Sequence, residues 1–304
     1  MTLRAENYSS GTPPLASTMP GRTRHEAGVN RDAGPRRRFS ILGVTFDAMQ
    51  IPDVIVQMRQ WIAQREGHHY IAVAGMHGII ETRHRAEFRQ AVADADLVVA
   101  DGMPVIWLGR LRGHSLSRRV YGPELMLRFC EETALGGCRH YLLGGAPGVP
   151  EQLAVSLGGS CPGITIVGLH SPPFRPATPE EDAAMIETIN RAAPDVLWVG
   201  LGTPKQEMWM HQHRGKLRVP VMIGVGAAFD FLSSRKRQAP LWMRERGMEW
   251  LFRLVQEPQR LWRRYIVGGA EFVFLVAVEL LGLRRFERQC LTTRRCYSRT
   301  KERA

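Results

Sequence analysis

The sequence predicts an α/β fold: a Rossmann-like, mostly parallel sheet with helices on both faces, extended by a C-terminal helical appendage. Three observations predict it. Short apolar runs alternate at least five times with segments that carry apolar residues at helical spacing. The runs are apolar throughout, as strands buried on both faces must be. Most of them end in glycine, and ligands of such sheets bind beyond the carboxyl ends of the strands.

Regular structure is expected from about Arg38. Phe39–Phe46 reads as one strand, and Ile51–Arg65 as a helix with apolar residues at 51, 54, 55, 58 and 62. Tyr70–Ala74 is a strand broken by Gly75. A helix from about His77 to Ala93 leads to the strand Leu97–Ala100 and the turn Asp101–Gly102. Helices over 104–112 and 122–134 precede the strand His140–Leu143, which runs into Gly144–Gly145. A helix over 149–157 comes before the strand Ile164–Gly168. Pro172, Pro173 and Pro176 mark a loop, Pro179–Ala192 is helical, and Asp195–Val199 closes on Gly200 and Gly202. A last strand from Val221 ends at Gly224 and Gly226. The carboxyl ends at Gly75, Asp101–Gly102, Gly144–Gly145, Gly200–Gly202 and Gly224–Gly226 should converge on one edge.

At 304 residues the chain is long enough for a substantial core. Its net charge of +12 is concentrated at the ends. Residues 235–304 hold 17 Lys/Arg against 7 Asp/Glu, and residues 1–38 hold 7 against 3, which leaves the middle slightly negative. Such ends suit an anionic partner: nucleic acid, lipid headgroups or a phosphorylated substrate. The five cysteines (130, 138, 161, 290, 296) show no metal-binding spacing and fit a reducing compartment. No secretory signal is recognisable. The divisions expected are a disordered basic tail (1–37), the α/β core (38–235), an Arg/Trp-rich helical appendage (236–283) and a basic tail (284–304).

Asp101 is the sharpest chemical candidate, because a carboxylate at a strand end can act as a general base. Asp–Gly–Met–Pro is equally good sequence for a helix cap. Asp94–Ala–Asp96 has the spacing by which some enzymes hold a divalent cation, but it precedes a strand and reads as structural. His211 and His213 are two apart and face different sides of a helix, which argues against a metal. Thr203–Pro204–Lys205–Gln206 reads as a capping box, and Gly200–Gln206 as a helix N-terminus able to receive a diphosphate. GxGxxG and P-loop signatures are absent, so nicotinamide and NTPase readings lose ground. Beyond Asp230 and a basic hinge at 233–240, Arg253, Arg260, Arg263 and Arg264 lie among Trp250, Phe252, Trp262 and Tyr265. Arg253, Arg260 and Arg264 fall near helical spacing, so one stripe could grip a pyrophosphate. The aromatics suit a bilayer headgroup level. Ile266–Leu283 is apolar but carries Glu271 and Glu279, which favour a packed or interfacial helix over a span.

Four blocks resemble the WecG/TagA/CpsF glycosyltransferase family: ADLVVADGMPVIWLGRLRG (95–113) with RVYGPELM (119–126), YLLGGAPGVPEQLA (141–154), PDVLWVGLGTPKQEMWM (194–210), and the stretch from Gly224 to Gly268. The match spans roughly residues 39–283. The resemblance implies an inverting, metal-independent transfer, with no cofactor, of a sugar from a UDP donor to a polyprenyl-diphosphate-linked saccharide. It places the enzyme peripherally at the cytoplasmic face of the membrane, without nucleic acid, and leaves self-association open. It makes Asp101 the general base. It assigns UDP-sugar binding to Asp230, Gln206, His77, Tyr121 and the glycines Gly75, Gly102, Gly144, Gly145, Gly200, Gly202 and Gly226. It gives the diphosphate to Arg253, Arg260, Arg263 and Arg264, on an appendage that folds over the site and docks on the membrane. One departure concerns the second strand end. Many relatives carry Thr-Pro-Asn or Thr-Leu-Asn there, whereas this chain has Val73–Ala74–Gly75, followed by Met76 and His77. Loss of the amide tilts the expected donor towards a neutral hexose over N-acetylmannosamine.

Overall fold

A computed structural model describes residues 37–286. All but the last residue of the expected N-terminal tail, most of the expected C-terminal tail, and Cys290 and Cys296 lie outside the described residues. The strands are β1 (Arg38–Ile41), β2 (Val44–Asp47), β3 (His69–Ala74), β4 (Leu97–Ala100), β5 (Arg139–Gly144), β6 (Thr165–His170), β7 (Val196–Gly200) and β8 (Val221–Gly224). They form one sheet in the order β1-β2-β4-β3-β8-β7-β5-β6. β1 and β2 pair antiparallel, and every other pair is parallel. From β3 the chain crosses to β4 on one side, while β5 to β7 fill the other. That arrangement leaves a crevice at the carboxyl ends in the middle of the sheet.

Successive residues of the central strands enter opposite cores, as a two-residue period requires. Tyr70, Ala72 and Ala74 of β3 join Leu197, Val199 and Met222 on one face. Ile71 and Val73 join Val196, Trp198, Val221 and Ile223 on the other. The second face is covered by the helices Ile51–Gln64, Gly122–Thr133 and Val149–Ser160, through side chains such as Met58, Phe129 and Leu153. β6, at the sheet edge, has no fully buried residue.

Three local expectations are corrected. Phe39–Phe46 is a hairpin and not a single strand: Leu42 (φ 48°) and Gly43 (φ 89°) are both left-handed and fold β1 back on β2. Two consecutive left-handed residues make the tight turn whose twist matches flanking strands. The helix expected over 77–93 is two helices, Met76–His84 and Ala86–Ala93, parted by an extended Arg85 (φ −130°, ψ 109°). The arginines of the C-terminal segment do not share one helix. Glu249–Gln256 ends at Glu257 (φ −134°, ψ 59°), and Arg260 belongs to the next helix, Pro258–Trp262.

The closing helix Gly268–Leu280 lies on the core, with Phe272 and Val276 buried. Its two acids are fastened there: Glu271 meets His84 at 3.0 Å and Glu279 meets Arg112 at 2.7 Å. Among the described residues no helix is long and apolar enough to cross a membrane.

Candidate active site

The strand ends and the C-terminal segment enclose a cavity of about 2040 Å³. Asp101, directly after β4, stands on its floor. The Asp101 N–H donates to the Ala74 carbonyl (2.9 Å) and the Val120 N–H to the Ala100 carbonyl (2.8 Å), so the end of β3 and the segment before the helix Gly122–Thr133 are both tied to the end of β4. This brings Arg119 beside Asp101, with Nη1 3.3 Å from a carboxylate oxygen. The other terminal nitrogen of Arg119 bonds Glu249, from the C-terminal segment. Tyr121 donates to the second oxygen of Glu249 (3.4 Å), and its ring lies under the Arg119 guanidinium at 4.2 Å. Burial pushes the Asp101 carboxyl above its usual range; Arg119 opposes the shift and Glu249 adds to it. Burial works against the charge of Arg119, but Asp101 and Glu249 more than offset this and hold it firmly protonated. Burial and Glu249 also push the Tyr121 phenol up, so it remains a donor.

The glycines fall into two kinds. Gly75 and Gly144 are required by backbone approach: a Cβ on Gly75 would stand 2.3 Å from the Asp101 carbonyl oxygen, and one on Gly144 2.5 Å from the Gly200 carbonyl carbon. Gly144 is thus turned towards its neighbouring strand and does not line the cavity, unlike Gly75, Gly145 and Gly200. Gly102, Gly202 and Gly226 line it at positive φ. The expected capping box is not formed. Pro204 is the N-cap of Lys205–His213 and receives no side-chain cap. Thr203 donates instead to Glu207 (2.9 Å). Gln206 is buried, and its Oε1 accepts from the N–H groups of Gly202 (3.1 Å) and Gly226 (3.0 Å). It joins the ends of β7 and β8.

Asp230, on Ala228–Leu232, faces the cavity but is paired with Lys236 (3.0 Å), which also reaches Glu257 (2.9 Å). His77, in the first turn of Met76–His84, is kept neutral: burial, with Arg264 and Arg85 nearby, pulls its pKa down to about 3. Arg253, Arg260 and Arg264 line the cavity although they share no single helix. Arg260 is engaged by Glu257 (2.5 Å). Arg264 is half-buried, its inner Nε has no hydrogen-bond partner, and desolvation weakens its hold on its proton. A guanidinium whose buried Nε–H lacks a partner favours an anionic ligand. Arg263 does not line the cavity; it is exposed and lies 5.4 Å from the Trp262 ring.

The family model for the glycosyl transferase WecG/TagA/CpsF family matches residues 39–286. The chain belongs to this family. It is a glycosyltransferase. Among its relatives are proteins of Staphylococcus aureus strains MW2 and NCTC 8325 named N-acetylglucosaminyldiphosphoundecaprenol N-acetyl-beta-D-mannosaminyltransferase. Each is 27% identical over 228 residues, which cover 74% of this chain and 87% of the relative.

In this WecG/TagA/CpsF member the Asp94–Asp96 pair serves the fold. Asp96 accepts from Arg214 (2.5 Å) and from the Tyr70 N–H (3.0 Å), and Asp94 accepts from Gln90 (2.8 Å). His213 is bound to Asp182 (2.7 Å). Arg119 and Glu249 are the site residues that sequence reasoning missed. Arg119 stands inside the quoted block RVYGPELM. Glu249 is one of three acids, with Glu245 and Glu257, in the segment 241–260, and nothing local sets it apart from the other two.

Proposed function

We propose that this glycosyltransferase moves a hexose from a UDP-sugar to a hydroxyl of a polyprenyl-diphosphate-linked saccharide in surface polysaccharide assembly, by single displacement with inversion and without a metal. The observation that carries this reading is the presence of a half-buried carboxylate, Asp101, and a half-buried guanidinium, Arg264, that has no partner on Nε, in one cavity at the strand ends. The acceptor hydroxyl attacks the anomeric carbon and gives its proton to the Asp101 carboxylate. The bond from that carbon to the β-phosphate oxygen breaks, and UDP leaves with the electron pair. Arg264 and Arg253 offset the charge that develops on the leaving group. The strand ends, with Gln206 holding two of them, receive the nucleotide. Single displacement is supported because Glu249, the other acid at Asp101, is taken up by Arg119 and Tyr121 and is not free to attack.

The lipid-linked acceptor is supported by the names of the relatives and by the C-terminal segment, where Trp242, Trp250, Trp262, Ile266 and Phe274 are all more than two-fifths exposed. Aromatic residues among arginines suit the headgroup level of the membrane's inner face. A second reading, N-acetylmannosaminyl transfer, is favoured by the same names, whereas the Val73–Gly75 end lacks the amide of many relatives.

Incubating the full chain with UDP-glucose or UDP-N-acetylmannosamine and a short polyprenyl-diphosphate N-acetylglucosamine, with and without EDTA, separates these readings. Product NMR gives the anomeric configuration. Asp101→Asn is expected to lower kcat by roughly 10²–10⁴-fold, the usual range for general-base loss. Undiminished transfer by that variant would remove Asp101 from the chemistry.

A further inference from the structure

Glu249 has no task in the transfer step, yet only 8% of it is exposed. It stands in the first turn of Glu249–Gln256 and so belongs to the C-terminal segment, not to the sheet. Its carboxylate reaches two groups of the core, Arg119 and Tyr121, one through each oxygen. Arg119 holds Asp101 with its remaining terminal nitrogen. A single guanidinium therefore serves two acids that come from different parts of the chain. The other charged groups facing the cluster are cations: Arg244 over the Tyr121 ring at 5.8 Å, and Arg253 and Arg264 acting on Asp101.

We propose that Glu249 is a positioning residue for Asp101: seated on Arg119 and Tyr121, it aims the guanidinium, divides its charge, and makes Asp101 a better proton acceptor when the C-terminal segment is in place. This rests on the reading of Asp101 as the base. Without Glu249, Arg119 is free to turn both terminal nitrogens onto Asp101 as a forked pair, which stabilises the carboxylate and weakens it as a base. With Glu249 seated, Asp101 keeps one N–H and gains a second negative charge behind the guanidinium. Both changes favour the protonated form of Asp101. A base whose proton affinity lies nearer the working pH accepts the hydroxyl proton more effectively. The segment would then contribute an acid to the chemistry of the sheet as well as arginines.

The test uses the full chain labelled with ¹³C at aspartate carboxyls, the Asp101 signal being assigned by its loss in Asp101→Asn. In Glu249→Gln the Asp101 titration is expected to fall by roughly one pH unit or more, the size of effect a neighbouring charge produces. The acidic limb of kcat should move down with it, kcat should drop on the plateau, and KM for whichever donor is active above should stay within about twofold. Glu249→Asp, which keeps the charge, should restore part of the titration shift, and it serves as the second variant if Glu249→Gln unfolds. An Asp101 titration that is the same in wild type and Glu249→Gln would overturn the proposal even if activity fell, because a mere anchor lowers activity without moving the limb. Full transfer by Asp101→Asn would overturn the base reading beneath it, and that result is read from a different protein.

Discussion

On the sheet wall of the cavity, Gln206 uses its amide on its neighbours: the oxygen takes two backbone N–H groups and the nitrogen donates to Glu207. On the opposite wall, Arg264 is half-buried, and its inner Nε has no partner. At Gln206 the sheet wall is therefore closed on itself and the amide holds shape, although behind it the second oxygen of Glu207 has no partner. The C-terminal wall is left incomplete in charge, and its aromatics are left in solvent. A buried polar group without a partner costs about 1–3 kcal/mol, so a fold that keeps one at the mouth of a cavity is poised for a ligand. The difference separates residues that build the pocket from residues that wait for what enters it.

The sharpest way to break this contrast is Arg264→Gln. Removing a cation aimed at a developing negative charge is expected to lower kcat by roughly 10²–10³-fold, with thermal stability unchanged or raised because an uncompensated half-buried charge is lost. A marked fall in Tm would return Arg264 to the structural side. Gln206→Ala should behave the opposite way. It strands the N–H groups of Gly202 and Gly226 and should lower the unfolding free energy by about 1–3 kcal/mol, as denaturant titration would record. Next comes the double substitution Trp250→Ser with Trp262→Ser, two side chains that are 42% and 45% exposed. Partition of the full chain onto phosphatidylglycerol vesicles should weaken about tenfold or more while Tm holds; unchanged partition would remove these rings from membrane contact.

The smallest effect concerns pH. The folded pKa of His77, about 3, lies below its ordinary 6.5. Between those values the unfolded chain binds the proton and the folded chain does not. Its contribution is thus constant above about pH 6.5, and stability falls as the pH drops from there towards 3. His77→Gln should flatten that decline in an acid-unfolding series. An identical acid profile would mean that the imidazole is not held neutral.

The alternating elements could be read from the chain because their signals are local: β4 is a four-residue apolar run with the boundaries expected, as is the helix Pro179–Ala192 with its Thr178 cap. The misreadings occurred where the deciding partner is remote. Thr203–Gln206 has good capping-box sequence, but the amide of Gln206 is claimed by Gly226, twenty residues on. The hairpin at Leu42–Gly43 was hidden because a leucine there gives no hint of a left-handed backbone. Arg85 interrupts a helix without any local breaker. Within the site, the convergence of strand ends and the position of Asp101 were readable, whereas Glu249 reaches Arg119 across 130 positions, and no spacing rule reports such a pair.

The seat of Gly75 against the carbonyl of Asp101 also bears on re-engineering this enzyme for other sugars. With 2.3 Å available where a Cβ would stand, any side chain introduced at 75 must displace the peptide that carries Asp101. A library aimed at a new donor would therefore do better to vary Met76 and His77, which border the same space, and leave the glycine alone.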